Sequence, residues 1–333
     1  PPHLIEELMD CIRKSESVYG VCSDQTIPEE EQGEQIEQRK SKRFLSQDAE
    51  VTMELNPGTV DRKSLLRYRK AGINRLSMGV QSFCDEELRF LGRIHSAKDA
   101  EQCFYDARKA GFDNINIDLM SAIPEQTYAD WEKNLRTVAG LSPEHISAYS
   151  LIIEEGTPFG ERKLKLPDED TEYRMYENTA GILEEYGFHQ YEISNYAKGG
   201  RECRHNKGYW QRIDYLGLGL GASSLVDHVR FSNTDNMEEY LRNSAFPEKI
   251  RCDRETLTEA DEMAEFMFLG LRMTEGVSVR EFEEYFGKNM ESIYGEVLKK
   301  HFALGMLKKK NDRIFLTRRG IHVSNGVMAD FLL

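Results

Sequence analysis

The sequence has no run of eighteen apolar residues, so no membrane-crossing helix is expected. It also has no C-x-x-C pair. Its six cysteines are Cys11, Cys22, Cys84, Cys103, Cys203 and Cys252, and the nearest two stand eleven positions apart. That dispersal excludes the local zinc and iron–sulfur signatures. The first residues, PPHLIEELMD, carry no charged-then-apolar leader. Without a secretory signal, buried or idle thiols are expected rather than disulfides. Positive charge is scarce as well: 44 Lys and Arg against 58 Asp and Glu give a net charge of −14. General nucleic-acid binding needs a basic surface, so no nucleic-acid partner is expected. A soluble cytoplasmic protein is the expectation. At 333 residues the chain can bury a sizeable core, as two domains or one barrel with an appendage.

What the chain does contain is a series of strand–turn–helix units between Glu54 and Phe159. VTMELNPGTV (51–60), INRLSMGVQSF (73–83), FDNINIDLM (112–120) and HISAYSLIIEEGTPF (145–159) read as four strands. Helical patterns such as Ala97–Ala110 and Tyr128–Gly140 fall between them. Repeated βα units predict a parallel sheet or barrel whose strand C-termini face a ligand. Glu54, Gln81 and Asp118 would then point at one shared site.

Pro1–Lys14 is predicted as an amphipathic helix with Leu4, Ile5, Leu8, Met9 and Ile12 on one face. Residues 15–42, rich in Glu, Gln, Ser and Lys, read as a solvated, flexible insertion. Asp168–Tyr186 reads as a helix and FHQYEISNYAK as a strand. DYLGLGLGASS (214–224) lacks the strand–helix context and the later acidic residue of a dinucleotide site. Its glycines are expected where backbone approaches another group closely. From Thr256 onward, three helices, the second capped by Ser278, precede a hairpin turning at Asn311–Asp312. The predicted domains are a partial barrel (1–160), remaining barrel and connecting segment (161–255), and a winged-helix-like α+β module (256–333).

Seven motifs occur in order: ELNPGTV, RLSMGVQSF, LGRIHSA, AGFDNINIDLMSAIPEQT, PEHISAYSLIIEEGTPF, RHNKGYWQRIDYLGLGLGASS and GIHVSNGVMADFL. Together they closely resemble the HemW haem chaperones, radical S-adenosylmethionine (SAM) proteins related to oxygen-independent coproporphyrinogen III oxidases. The resemblance implies an α/β fold: an incomplete parallel (β/α) radical-SAM barrel followed by the winged-helix-like domain. It implies SAM and a [4Fe–4S] cluster as cofactors, haem as ligand and an unidentified haem-acceptor protein as partner. The family also carries C-x-x-x-C-x-x-C and a GGGTP segment, neither of which occurs here. No cluster ligands are therefore expected in this chain. It reads as a fragment or degenerate copy, inactive in SAM cleavage as written, with the strand around Val51–Leu55 at an open edge.

The resemblance assigns Glu54, Gln81, Arg93, Asp118 and Tyr149 to the SAM pocket. Arg93 would grip a carboxylate through its planar fork, with His95 as an alternative for that contact. Glu54 and Asp118 would accept from amine or hydroxyl groups, and Tyr149 would lie near the adenine. Read without the family, these residues serve equally as strand-end caps, an interstrand bond, a surface ion pair and a core tyrosine. His205, Asn206, Tyr209 and Trp210 match an H-N-x-x-Y-W motif assigned to haem. His205 would ligate the iron, Tyr209 and Trp210 would wall the macrocycle, and Cys203 is a second possible ligand. The bland reading is a histidine satisfying a buried hydrogen bond. Glu154–Pro158 reads as a turn. The alternatives to haem binding and transfer are a coproporphyrinogen III oxidase-type enzyme, or a non-catalytic winged-helix interaction protein with a vestigial barrel.

Overall fold

The computed structural model describes residues 1–14 and 45–333. The predicted insertion at 15–42 lies outside the described residues. The chain divides into two compact units, Pro1–His189 with Tyr196–Arg201, and Gln190–Asn195 with Glu202–Leu333. The stretch 161–255, predicted as remaining barrel plus connection, is shared between them.

In the first unit, β1 (Thr52–Leu55), β2 (Arg75–Gln81), β3 (Ile115–Ser121) and β4 (His145–Ser150) form a parallel sheet in chain order. The parallel strands and helical connections agree with the predicted α/β class. β1 lies at the end of this sheet, paired only with β2 among the described residues. Alternation along the strands sorts the side chains. Leu76, Met78 and Val80 of β2, and Ile115, Ile117 and Leu119 of β3, are buried in one core. That core also holds Leu65, Phe104, Trp131 and Leu135, which come from the connecting helices α2 (Arg62–Ala71), α4 (Ala97–Lys109) and α5 (Tyr128–Leu141).

Local chemistry sets the helix ends. Ser96 with Asp99 and Thr127 with Asp130 form capping boxes that open α4 and α5. α2 stops at Gly72, whose φ of 106° suits a residue without a Cβ. α1 (Pro2–Lys14) buries Met9 with Ile5 and Ile12 against this core. Leu4 and Leu8, predicted on the same face, are instead exposed. α3 (Asp85–Phe90) and α6 (Glu169–Glu184) are the other helices among the described residues of this unit.

Two strand predictions change. HISAYSLIIEEGTPF leaves the sheet at Ser150; Leu151 makes one more bond to Ser121 O, and Ile152 is already exposed. FHQYEISNYAK is two strands, β5 (His189–Glu192) and β6 (Asn195–Ala197), interrupted at Ile193–Ser194. The Glu192 carboxylate accepts from the Ser194 N–H and so fixes the turn without glycine or proline.

In the second unit, α7 (Arg204–Trp210) precedes an antiparallel sheet of β7 (Ser223–Val226), β8 (Val229–Asn233) and β9 (Arg251–Thr256). The short helices α8 (Met237–Asn243) and α9 (Pro247–Ile250) lie between β8 and β9. The C-terminal part holds α10 (Glu259–Gly270), β10 (Val277–Ser278), α11 (Val279–Phe286) and α12 (Met290–Ala303). β11 (Leu307–Lys310), β12 (Arg313–Leu316), α13 (Arg318–His322) and α14 (Ser324–Ala329) follow. Ser278 caps α11 by accepting from the Glu281 N–H, and Asn311 takes φ 54° in the hairpin turn, both as predicted. Met267, Phe282, Tyr294, Ile314 and Phe331 centre a second core.

Candidate functional site

The parallel register aligns polar residues on the sheet face opposite the apolar core. Glu54 pairs with Ser77, Ser77 with Asn116 and Asn116 with His145, which makes one row. Asp118 pairs with Ser147, and Met120 with Tyr149, nearer the C-terminal ends. The ladder shifts between Met78 and Gln81, and Gln81 closes β2 at φ 71°. Such an irregularity re-aims a side chain at a strand end. The Tyr149 hydroxyl donates to Gln81 Oε1 at 2.9 Å, joining the two strand ends. Arg93 donates to Asn56 Oδ1 at 2.9 Å.

Between these two pairs lies Gly79. A Cβ there would stand 3.0 Å from Asn56 Oδ1 and 3.2 Å from Gln81 Nε2. Glycine therefore keeps open a cradle floored by backbone and walled by amides. The charges of Glu54, Arg93 and Asp118 all act on the Tyr149 hydroxyl. All five predicted SAM-pocket residues thus share one neighbourhood.

Asp118 is held by a network the sequence did not single out. Asn116 Nδ2 donates to Asp118 Oδ1 and to Ser77 Oγ, each at 2.7 Å. Asn116 Oδ1 accepts from Ser147 Oγ at 3.2 Å and faces His145 Nδ1 at 2.6 Å. Because Oδ1 can only accept, the His145 proton sits on Nδ1. Burial holds the His145 pKa well below its ordinary value, helped by the charge of Arg75, so the ring is neutral. Burial pushes the Asp118 carboxyl up, and the Glu54 charge adds to that. Hydrogen bonds from Asn116 and Ser147 and the charge of Arg75 oppose it. The legible signal for this network was Asn116-x-Asp118, two acceptor-bearing residues on one strand face.

His95, the alternative to Arg93, is buried, with Nε2 3.1 Å from Val80 O. Burial lowers its pKa, so it packs as a neutral core histidine. The stretch after β4 is the expected turn, with both the Thr157 N–H and hydroxyl donating to Glu154 O.

The second group of candidates belongs to the second unit. His205 and Tyr209 stand one turn apart on α7, their rings edge to face at 4.6 Å. Tyr209 meets Tyr215 in the same way at 4.7 Å. Burial, and then Tyr215, raise the Tyr209 pKa. His205 is exposed and Asn206 half-buried, while Cys203 is buried at 3% exposure. The Arg272 guanidinium lies over the Trp210 ring at 4.2 Å, and the Trp210 indole N–H is buried without a hydrogen-bond partner.

Of the glycines of DYLGLGLGASS, Gly217 acts as predicted, whereas Gly219 and Gly221 meet nothing within 4 Å and instead take φ of 115° and 66°. A Cβ on Gly217 would come within 2.2 Å of Ser223 O. Asn233 Nδ2 clamps the loop by donating to Gly217 O and Gly219 O. Leu216, Leu218 and Leu220 project outward, exposed at 53%, 76% and 40%. Sequence reading had not marked these leucines; their alternation with glycine was the available signal.

The polar cradle fits SAM through its donor set and through the space a Cβ on Gly79 would fill. The iron–sulfur cluster is a different matter. Among the described residues no three His, Cys, Asp or Glu side chains converge to hold a metal. Cys103 is buried in the core, its thiol pushed up to about 11 by burial. No helix among the described residues is long and apolar enough to cross a membrane.

Fold and motifs together define a radical SAM protein. Residues 4–138 match the Radical SAM superfamily model, and residues 257–323 match the HemN C-terminal domain. The fold is that of coproporphyrinogen III oxidase (HemN) from Escherichia coli, with a TM-score of 0.76 at 19% identity, covering 100% of this chain and 84% of that one. More specifically, the chain is 38% identical over 291 residues to heme chaperone HemW of Bacillus subtilis, covering 85% of this chain and 76% of that protein. It is 35% identical over 293 residues to heme chaperone HemW of Escherichia coli, covering 86% and 76%. The chain belongs to the HemW family.

Proposed function

We propose that this protein binds haem through His205 and passes it to an acceptor protein in the cytoplasm. The observation that carries the reading is the contrast at α7. His205 is exposed, backed by Tyr209, while Cys203, the other possible iron ligand, is buried. An exposed imidazole suits cargo that must leave again, because it is reached without unfolding. Tyr209 and the exposed leucines 216, 218 and 220 offer apolar contact for a macrocycle. Trp210, with Arg272 over its ring, supports the helix from beneath.

In the first unit we assign SAM to the cradle at Gly79. In this assignment Arg93 holds the carboxylate, Glu54 and Asp118 accept from amine or hydroxyl groups, and Gln81 with Tyr149 borders the adenosine. Bound SAM supplies the superfamily's sulfonium chemistry. This chain's own residues bind and orient it. The oxidase reading rests on a likeness of fold at 19% identity, whereas the chaperone relatives reach 35% and 38%.

Haemin titration tests the haem assignment. Wild-type protein should give a shifted Soret band, His205→Ala should lose the shift, and Cys203→Ala should keep most of it. Equal shifts in wild type and His205→Ala would return His205 to a structural role.

A further inference from the structure

The second unit contains a column of buried polar groups beneath α7 that the haem site does not use. Glu192 is fully buried. Its Oε1 accepts from the Ser194 N–H at 2.8 Å and from Asn195 Nδ2 at 2.6 Å. Its Oε2 faces the Arg272 guanidinium at 3.8 Å and has no hydrogen bond. Arg272 Nε and Trp210 Nε1 are likewise buried without hydrogen-bond partners. Burial pushes the Glu192 carboxyl up, while its hydrogen bonds and Arg272 pull it back.

The same short segment reaches both ends of α7. The Tyr191 hydroxyl accepts from the N–H of Cys203, the residue that caps the helix, at 3.3 Å. At the other end Arg272 covers Trp210, the last helical residue. Backbone pairing locks the two supports together: Ile193 N–H donates to Arg272 O at 3.1 Å, and Thr274 N–H to Tyr191 O at 3.0 Å. α7 has seven residues and buries none of them, so its setting depends on contacts such as these at its two ends.

We infer that Arg272, anchored by Glu192, is a positioning residue that sets the rotation of α7 through its stack on Trp210 and so presents His205 to the iron. This rests on the haem reading above. A planar guanidinium can stack and pair at once, which an ammonium cannot. A group one step behind an iron ligand typically tunes binding about tenfold to a hundredfold.

The test compares Arg272→Lys with the double variant Glu192→Gln/Arg272→Met in the full chain. The double variant removes both charges and leaves neither unpaired. It should melt near the wild type yet bind haemin about tenfold to a hundredfold more weakly. Arg272→Lys keeps the charge but loses the stack, and it too should bind weakly. A residue that merely neutralised Glu192 would be rescued by lysine.

A second readout needs no haem. In a Trp131→Phe background, where Trp210 is the sole tryptophan, both variants should change its emission. Wild-type haemin affinity or unchanged emission in a folded variant overturns the proposal. If the double variant does not fold, Arg272→Lys decides by the same two readings. If His205→Ala also leaves haemin binding intact, the haem reading fails, and Trp210 emission alone judges the positioning.

Discussion

Replacing Gly79 by alanine should cripple the SAM cradle while sparing the fold. The added Cβ would sit 3.0 Å from Asn56 Oδ1 and 3.2 Å from Gln81 Nε2, so both amides must move. Each holds a partner: Arg93 donates to Asn56, and Tyr149 to Gln81. Moving the amides displaces Arg93 and Tyr149 from the positions at which SAM would meet them. A hydrogen bond to a charged group is worth about 1.5–3 kcal/mol and a neutral one about 0.5–1.5 kcal/mol. Losing one of each from the bound state totals roughly 2–4.5 kcal/mol. At about 1.4 kcal/mol per factor of ten, SAM affinity should fall about thirtyfold to a thousandfold. The backbone at Gly79 lies outside the left-handed region, so alanine fits the strand, and the melting temperature should stay near that of the wild type. Equilibrium dialysis with labelled SAM reads the first quantity and calorimetry the second. Unimpaired SAM binding by a folded Gly79→Ala protein would refute the assignment of the cradle.

Three further outcomes follow from the packing and the charges. Because burial raises the Asp118 pKa above its unfolded value of about 3.9, ionisation of Asp118 destabilises the fold as pH climbs through the raised value. Asp118→Asn should therefore raise the melting temperature near pH 7, lose that advantage near pH 4, and weaken SAM binding throughout. Trp131 is fully buried, with its indole N–H donating to Thr179 Oγ1 at 2.9 Å. Trp131→Ala should cost about 3–5 kcal/mol and lower the transition of the first unit by roughly 6–20 °C. Ser278 caps α11 and donates to Asp312, so Ser278→Ala should destabilise the second unit by about 1–2 kcal/mol in denaturant melts.

The parallel units were legible because each strand is short, apolar and bounded by turn residues, and because Ser96 and Thr127 announce their helices with an acidic residue three positions on. Strand endings were less legible. Nothing local tells Ser150 that its ladder partners stop, and Glu192 turns the chain at Ser194 with a side-chain bond rather than with glycine. On α1, helical spacing grouped five apolar residues, but packing selects only Ile5, Met9 and Ile12. Of the candidate site, Glu54, Gln81 and Asp118 were marked by their places at strand ends, and Arg93 and Tyr149 by motif order. Their supports, Asn56, Asn116, Ser147 and Gly79, were not, because register and a ladder shift bring them together. The same holds for Arg272 against Trp210, whose meeting depends on the pairing of Ile193 with Arg272 far along the chain.

The account turns on whether His205 ligates haem iron. Chemical rescue of His205→Gly tests this most directly. The electron paramagnetic resonance spectrum of the ferric haem complex should show a histidine-ligated centre in the wild type. In His205→Gly that signal should disappear, and adding free imidazole should restore it by filling the vacated coordination position. A His205→Gly complex with the wild-type spectrum before any imidazole is added would contradict the claim.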